Sequence, residues 1–201
     1  LEVIYRNANR MNYLINELLT FSKIEMKQMR ISVRKGDIMH FLEELSHIFD
    51  IVAGEREIDF IVNLEDTEEE VWFSPSKLER ILYNLLSNAF KYTQPGGYVK
   101  LSAKLIKEEK ETFVQISVKD NGRGIPKEAQ EQIFESYYQV EKRDHREGFG
   151  LGLSLTRSLI HMHKGEIRVE SEVNEGSDFI VTLNVSEDAY GPDERSSENI
   201  T

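Results

Sequence analysis

The chain has 201 residues, 39% of them hydrophobic, and a formal charge of −11 from 25 basic against 36 acidic side chains. That length and apolar content suffice for a packed core of one or two domains. The charge disfavours a nucleic-acid backbone as main partner, because phosphate neutralisation needs clustered Lys and Arg, but it leaves room for a nucleotide in a local pocket. The absence of cysteine excludes a disulfide framework, a zinc–thiolate centre and a thiol nucleophile, and fits a reducing compartment. No apolar run approaches the length of a membrane span and no charged-then-apolar signal segment opens the chain, so a cytoplasmic location without membrane contact is expected of it.

Residues 1–29 read as one long helix. Ile4, Ala8, Met11, Ile15, Leu18 and Ser22 alternate spacings of four and three, the seam of a coiled coil or helical bundle. Leu14, Leu19 and Phe21 widen that seam, so the helix needs neighbours, and a dimerising bundle is the expectation. After a short extended run, Ile31 to Arg34, Asp37 is placed to cap a helix whose apolar face is Ile38, Phe41, Leu42, Leu45, Ile48, Phe49 and Val52, ending near Gly54. Strands are predicted at 58–64 and 71–73, on either side of an acidic loop.

The helix over 77–93 carries an apolar stripe of Leu78, Ile81, Leu82, Leu85, Leu86 and Ala89. Asn84 and Asn88 interrupt it, four residues apart and so on one face. A buried carboxamide is costly without a partner, so either the two are satisfied within the fold or they face a polar cavity. An antiparallel hairpin is predicted from 98–106 and 113–119, whose residues alternate apolar and polar. Asp120-Asn121-Gly122-Arg123-Gly124-Ile125-Pro126 follows directly. Read as a local feature it is a good turn; read as a site, its glycines permit close approach to a flat ligand and its carboxylate can accept from an exocyclic amine. Ile133 to Tyr138 carry an aromatic cluster, and 139–147 is a charged, mobile-looking stretch. Gly148-Phe149-Gly150-Leu151-Gly152-Leu153 then feeds a helix over 154–163, an arrangement that suits either phosphate binding at the helix N-terminus or a lid hinge. Two final strands, 166–173 and 178–185, precede a polar, acidic segment, 186–201, expected to be a disordered tail or linker. The fold class is α+β, a two-layer α/β sandwich with a mixed, largely antiparallel sheet covered by helices and preceded by the bundle-forming helix.

The ordered series N-L-L-S-N-A-F-K-Y-T, D-N-G-R-G-I-P, I-F-E-S-Y-Y, G-F-G-L-G-L and E-G-S-D-F, over residues 74–185, resembles the catalytic and ATP-binding domain of bacterial sensor histidine kinases, whose fold is shared with gyrase, Hsp90 and MutL. The run from Leu14 to Lys23 resembles the second helix of the kinase dimerisation and phosphotransfer domain. The resemblance implies three parts: 1–29, a partial dimerisation and phosphotransfer helix; 30–185, the ATP-binding catalytic domain; and 186–201, the tail. It implies ATP and Mg²⁺ as cofactors, with Asn88 as metal ligand. Asn84 and Lys91 would approach the phosphates, and Tyr92 would border the nucleotide. Asp120 would accept the adenine amino group in a pocket shaped by Gly122, Gly124 and Ile125. Phe134 would anchor the lid, with a core role as the alternative. Gly148, Phe149, Gly150, Leu151, Gly152 and Leu153 would form the lid hinge and phosphate-facing turn, and Ser177 would support the adenine end.

The chain departs from the family pattern in places. Gln139 stands where many members carry arginine, leaving Lys142, Arg143 or Arg146 to supply a cation, and Ser74 stands where an aspartate commonly precedes the Asn-bearing helix. None of His40, His47, His145, His161 and His163 lies in the H-E-[IL]-[KR] context of a phosphoacceptor, so no catalytic histidine is assigned and autophosphorylation of this chain is not expected. The expected partners are a phosphoacceptor helix of the same or a partner subunit, a response-regulator receiver domain and a second copy of the parent protein, with an inner-membrane anchor in the parent left open. Two rival functions are an ATPase of the gyrase, Hsp90 and MutL kind and a non-catalytic dimerisation module. The ATPases place a glutamate base four residues before the metal-binding asparagine, and here that position is Asn84.

Overall fold

The computed structural model describes residues 28–139 and 150–196, with residues 11, 15, 19, 20, 22, 23 and 26 of the opening segment. Residues 11, 15, 19, 20, 22 and 23 are helical, and Met11, Ile15, Leu19 and Met26 are exposed. Thr20 Oγ1 accepts a hydrogen bond from Arg80 at 2.8 Å. The rest of the helix expected over 1–29 lies outside the described residues.

In chain order the elements are β1 (Arg34–Asp37), α1 (Ile38–Ser46), α2 (Ile48–Arg56), β2 (Asp59–Leu64), β3 (Glu70–Phe73), α3 (Pro75–Tyr92), β4 (Tyr98–Glu108), β5 (Glu111–Asp120), α4 (Gly152–Met162), β6 (Glu166–Glu172) and β7 (Gly176–Asn184). Short 3₁₀ turns occupy Lys127–Ala129, Gln132–Phe134 and Glu187–Ala189. Asp37 caps α1 as its side chain predicts, accepting the His40 N–H at 3.0 Å. The single helix expected from 38 to about 54 is instead two, broken at His47, whose N–H turns back to the Glu43 carbonyl. The break shifts the helical phase. Phe49 and Ala53 are buried, whereas Ile48, expected on the inner face, is 55% exposed.

The main sheet runs β2-β4-β5-β7-β6, parallel at β2/β4 and antiparallel at the other three pairings, and β1 and β3 make a separate two-stranded sheet. One face follows the alternation of the strands: Val99 and Leu101 of β4, Val114, Ile116 and Val118 of β5, and Phe179, Val181 and Leu183 of β7 are all buried. Against it lies the apolar stripe of α3, with Leu78, Ile81, Leu82, Leu85 and Leu86 each at 1% exposure or less. Each such side chain contributes about 2 kcal/mol by burial, so α3 is held firmly against the sheet, and α4 packs on β6 and β7 beside it. This is the mixed, largely antiparallel two-layer sandwich expected. Among the described residues no helix is long and apolar enough to cross a membrane.

The segment expected to be disordered is ordered over its first part. Tyr190, 2% exposed, packs with Ile31 and Val33 and beside Trp72, and its hydroxyl donates to the carbonyls of Asn184 at 2.5 Å and His163 at 3.2 Å. Val33 N–H donates to Glu194 and the Val33 carbonyl accepts from Ser196 N–H. One buried aromatic and a strand-like bridge outweigh the polar composition around them.

Candidate functional site

Three side chains line up across three strands on the helix-covered face of the sheet. Asp120 ends β5 opposite Ser177 of β7, and Ser177 is opposite Ser171 of β6. Asp120 is 5% exposed, and its carboxylate accepts the backbone N–H of Gly122 at 2.8 Å and that of Ser177. Burial raises its pKa, the two backbone amides pull it down, and the nearby Asp178 charge adds to the rise. Glycine is required on both sides of this carboxylate. A Cβ on Gly122 would sit 2.5 Å from the Tyr92 carbonyl oxygen, and Gly176 has φ +108° with a Cβ position 2.0 Å from the Asp120 carbonyl oxygen. Gly124, also at positive φ, lies against the Glu172 carbonyl, and Ile125 packs on the core edge with its N–H bound to Ser171 Oγ at 2.8 Å. Gln130 Nε2 ties the same loop down, donating to the carbonyls of Ile125 and Ser171.

Helix α3 brings its polar face to the other side. Asn84 and Asn88 are both half-buried. Asn84 Nδ2 donates to Thr156 Oγ1 at 2.7 Å, and its Oδ1 lies 2.6 Å from where a Cβ on Gly152 would stand, so a larger residue at the start of α4 would displace the Asn84 carboxamide. The Asn88 side chain makes no hydrogen bond among the described residues. The question the sequence leaves open is thus divided: the Asn84 amide nitrogen has a partner inside the fold, and Asn88 is a half-buried carboxamide. At the end of α3, Lys91 Nζ donates to the Tyr92 hydroxyl at 3.0 Å, and the Arg123 guanidinium stands 4.4 Å from the Tyr92 ring centroid. Opposite, α4 begins at Gly152 with Leu151 as N-cap residue and no side-chain cap, which leaves backbone N–H groups and the positive dipole end for an anion.

The remaining expected site residues among those described lie around this face, and Phe134 takes the core role stated as its alternative. Phe134 is buried in the core, edge-on to Phe179 at 6.4 Å. Leu151 is buried and Leu153 packs against the core. Gly150, at φ +70°, lies against the Tyr138 carbonyl. Gly148 and Phe149 lie outside the described residues, as do Lys142, Arg143 and Arg146. Among the described residues no cluster of three or more His, Cys, Asp or Glu could hold a metal. Ser171, Thr156 and Gln130 join the site without having been singled out in the sequence.

The profile of one protein family, described as histidine kinase-, DNA gyrase B-, and HSP90-like ATPase, matches residues 73–187, more than half of the chain. The chain belongs to this ATPase family. The matched range holds the Asn84–Asn88 face, Asp120 and its glycines, the α4 N-terminus and Ser177. Among curated proteins, the chain is 34% identical over 186 residues to histidine kinase P4 of Formosa agariphila, matching 90% of this chain and 13% of that protein. It is 34% identical to the sensor histidine kinase WalK of Bacillus subtilis, over 94% of this chain and 31% of that one. It is 35% identical to the adaptive-response sensory kinase SasA of Crocosphaera subtropica, over 90% and 47%. The chain therefore spans less than half the length of each of these relatives. Among solved structures, full-length ShkA in complex with AMPPNP superposes with a TM-score of 0.81 at 24% identity, over 92% of this chain and 38% of that one, a likeness of fold. The nucleotide-free catalytic domain of histidine kinase ThkA superposes at 0.67 with 25% identity, over 78% of this chain and 99% of that domain.

Proposed function

We propose that this chain is the ATP–Mg²⁺-binding catalytic domain of a two-component sensor histidine kinase, delivering the γ-phosphoryl group of ATP to a histidine on a dimerisation domain. The adenine amino group donates to Asp120, in a pocket walled by Gly122, Gly124 and Ile125 and supported by Ser177. Tyr92 borders the nucleotide. Lys91, Asn84 and the N-terminus of α4 at Gly152 face the phosphates, with Gly150 and Gly152 in the phosphate-facing turn. Asn88 is the metal ligand. Its donor set fits Mg²⁺, which takes oxygen ligands and keeps waters and phosphates around it, and its carboxamide oxygen is not engaged elsewhere among the described residues. Bound there, Mg²⁺ would neutralise charge on the phosphates.

The observation that carries a kinase over a hydrolase is Asn84. An ATPase of the gyrase, Hsp90 and MutL kind needs a carboxylate at that position to take a proton from water. Here it is an amide, held by Thr156, with no capacity to act as a base. The names of the relatives support the same reading. The acceptor histidine comes from a helix of the same or a partner subunit. Among the described histidines, His40 faces Glu43 and Glu44 of α1, His47 faces Asp50 of α2, His161 is exposed at the end of α4, and His163 is buried in packing. Residues 1–29 belong to the dimerisation bundle, so the parent is a homodimer whose phosphoryl group passes on to a receiver domain, in the cytoplasm with any membrane anchor elsewhere in the parent.

The test is to incubate the chain with γ-labelled ATP and Mg²⁺, alone and with a purified dimerisation domain carrying the acceptor histidine. Label is expected on the added domain as acid-labile phosphohistidine, with none on the chain by itself. Steady-state hydrolysis without transfer would favour the ATPase alternative. An absence of calorimetric heat with an ATP analogue and Mg²⁺ would favour the non-catalytic module.

A further inference from the structure

The row Asp120–Ser177–Ser171 contains a hydrogen-bond polarity that can be worked out from fixed donors and acceptors. Ser171 Oγ makes three contacts: with the Ile125 N–H at 2.8 Å, the Gly176 carbonyl at 2.7 Å and Ser177 Oγ at 3.0 Å. A hydroxyl has one proton and two lone pairs. The Ile125 amide can only donate, so it occupies one lone pair. The Gly176 carbonyl can only accept, so it takes the single proton. The contact with Ser177 must then use the remaining lone pair, and Ser177 is the donor. Ser177, 7% exposed, has its only proton directed into the protein, and what its oxygen has left are lone pairs. Its cross-strand neighbour Asp120 already accepts backbone amides of Gly122 and Ser177 and likewise presents acceptor oxygen.

We propose that Ser171 sets the base preference of the site by fixing Ser177 as an acceptor, so that the wall met by a purine 6-position consists of acceptors only. Such a wall binds a 6-amino group, which donates, and opposes a 6-oxo group, which accepts. Without Ser171 the Ser177 hydroxyl can rotate and donate, and the wall accommodates either group. Ser171 is a positioning residue in this scheme: it acts through Ser177 and does not itself meet the base. The proposal rests on the reading of Asp120 and Ser177 as the base end of an ATP site.

The test compares ATP and ITP, which differ in a 6-amino against a 6-oxo group, by competition against a fluorescent nucleotide in the presence of Mg²⁺. The wild-type chain is expected to prefer ATP, and S171A to reduce the ratio of the two dissociation constants about tenfold, the worth of one hydrogen bond, mainly by tightening ITP. S171T keeps a hydroxyl and is expected to restore the ratio. A purely structural role would weaken both nucleotides together and leave the ratio alone. An unchanged ratio in a folded S171A that still binds ATP overturns the proposal, whereas a wild-type chain that binds neither nucleotide overturns the ATP reading itself. Should S171A not fold, S177A carries the test: it removes the acceptor without touching the Ile125 amide. A ratio that falls in S177A supports the proposal, and one that stays unchanged overturns it.

Discussion

His163 should make the stability of this domain depend on pH in a way that one substitution removes. The side chain is fully buried between α4 and the start of α3. Its Nε2 accepts the Ser74 N–H at 3.2 Å and its Nδ1 lies 3.0 Å from the Leu159 carbonyl, so the proton resides on Nδ1 and the ring is neutral. Burial, with smaller contributions from the Lys77 and Lys164 charges, lowers its pKa from 6.5 to about 4, against the opposing effect of the Leu159 bond. The folded pKa lies below the unfolded one, so the unfolded chain binds the proton first as pH falls. The stabilising contribution is therefore whole above pH 6.5, declines between 6.5 and about 4, and is gone below that. A difference of about 2.5 pKa units at 1.36 kcal/mol each gives about 3 kcal/mol. Urea unfolding of wild type and H163N at steps from pH 7 to pH 4 measures it. H163N is expected to be less stable at pH 7, since Ser74 loses its acceptor, but to have a pH profile flatter by about 3 kcal/mol. Asp120, whose raised pKa acts in the opposite sense, titrates in both proteins and cancels in the difference. Parallel profiles would refute the neutral buried imidazole.

D120N keeps an oxygen for the Gly122 amide but removes the charge from the acceptor. ATP affinity is expected to fall about 10- to 100-fold, by the worth of a charge-assisted hydrogen bond, with the far-UV circular dichroism unchanged; calorimetry with an ATP analogue reads it. An unaltered affinity would remove Asp120 from the base end. Y190F deletes the hydroxyl that reaches Asn184 and His163, and should cost about 1 kcal/mol in urea unfolding while leaving ATP affinity untouched. An unchanged midpoint would mean that the segment after β7 is not held by this bond.

The asparagine face of α3 is legible because helical spacing is strict: Asn84 and Asn88 stand out against a stripe of leucines, whatever lies across from them. The glycines around Asp120 are legible for a similar reason, since their density after a strand is itself unusual. Ser171 is not. In Glu170-Ser171-Glu172 it reads as one more polar residue of a solvated strand, and only the register of β6 on β7 puts it beside Ser177. Thr156 is hidden likewise, because nothing in α4 alone says which helix its hydroxyl meets. His163 looks like a cation complementing a helix end; its burial beneath Ser74, 89 residues away in sequence, makes it neutral instead. Ile48 is misjudged because periodicity carried through His47 assumes an unbroken helix, and Tyr190 because a lone aromatic has little weight in a polar segment. Ser171, Thr156 and His163 are missed because their partners are distant in sequence, which local pattern cannot carry.

The bridge between Val33 and Arg195 is parallel, and both backbone groups of Val33 are used in it. Residues 31–33 and 194–196 thus run side by side in the same direction, one entering the domain and the other leaving it. Tension applied between those two ends pulls the strands along their length, loading the Val33–Glu194 and Ser196–Val33 bonds together, not one after the other as peeling would. The small junction is therefore arranged as a shear clamp.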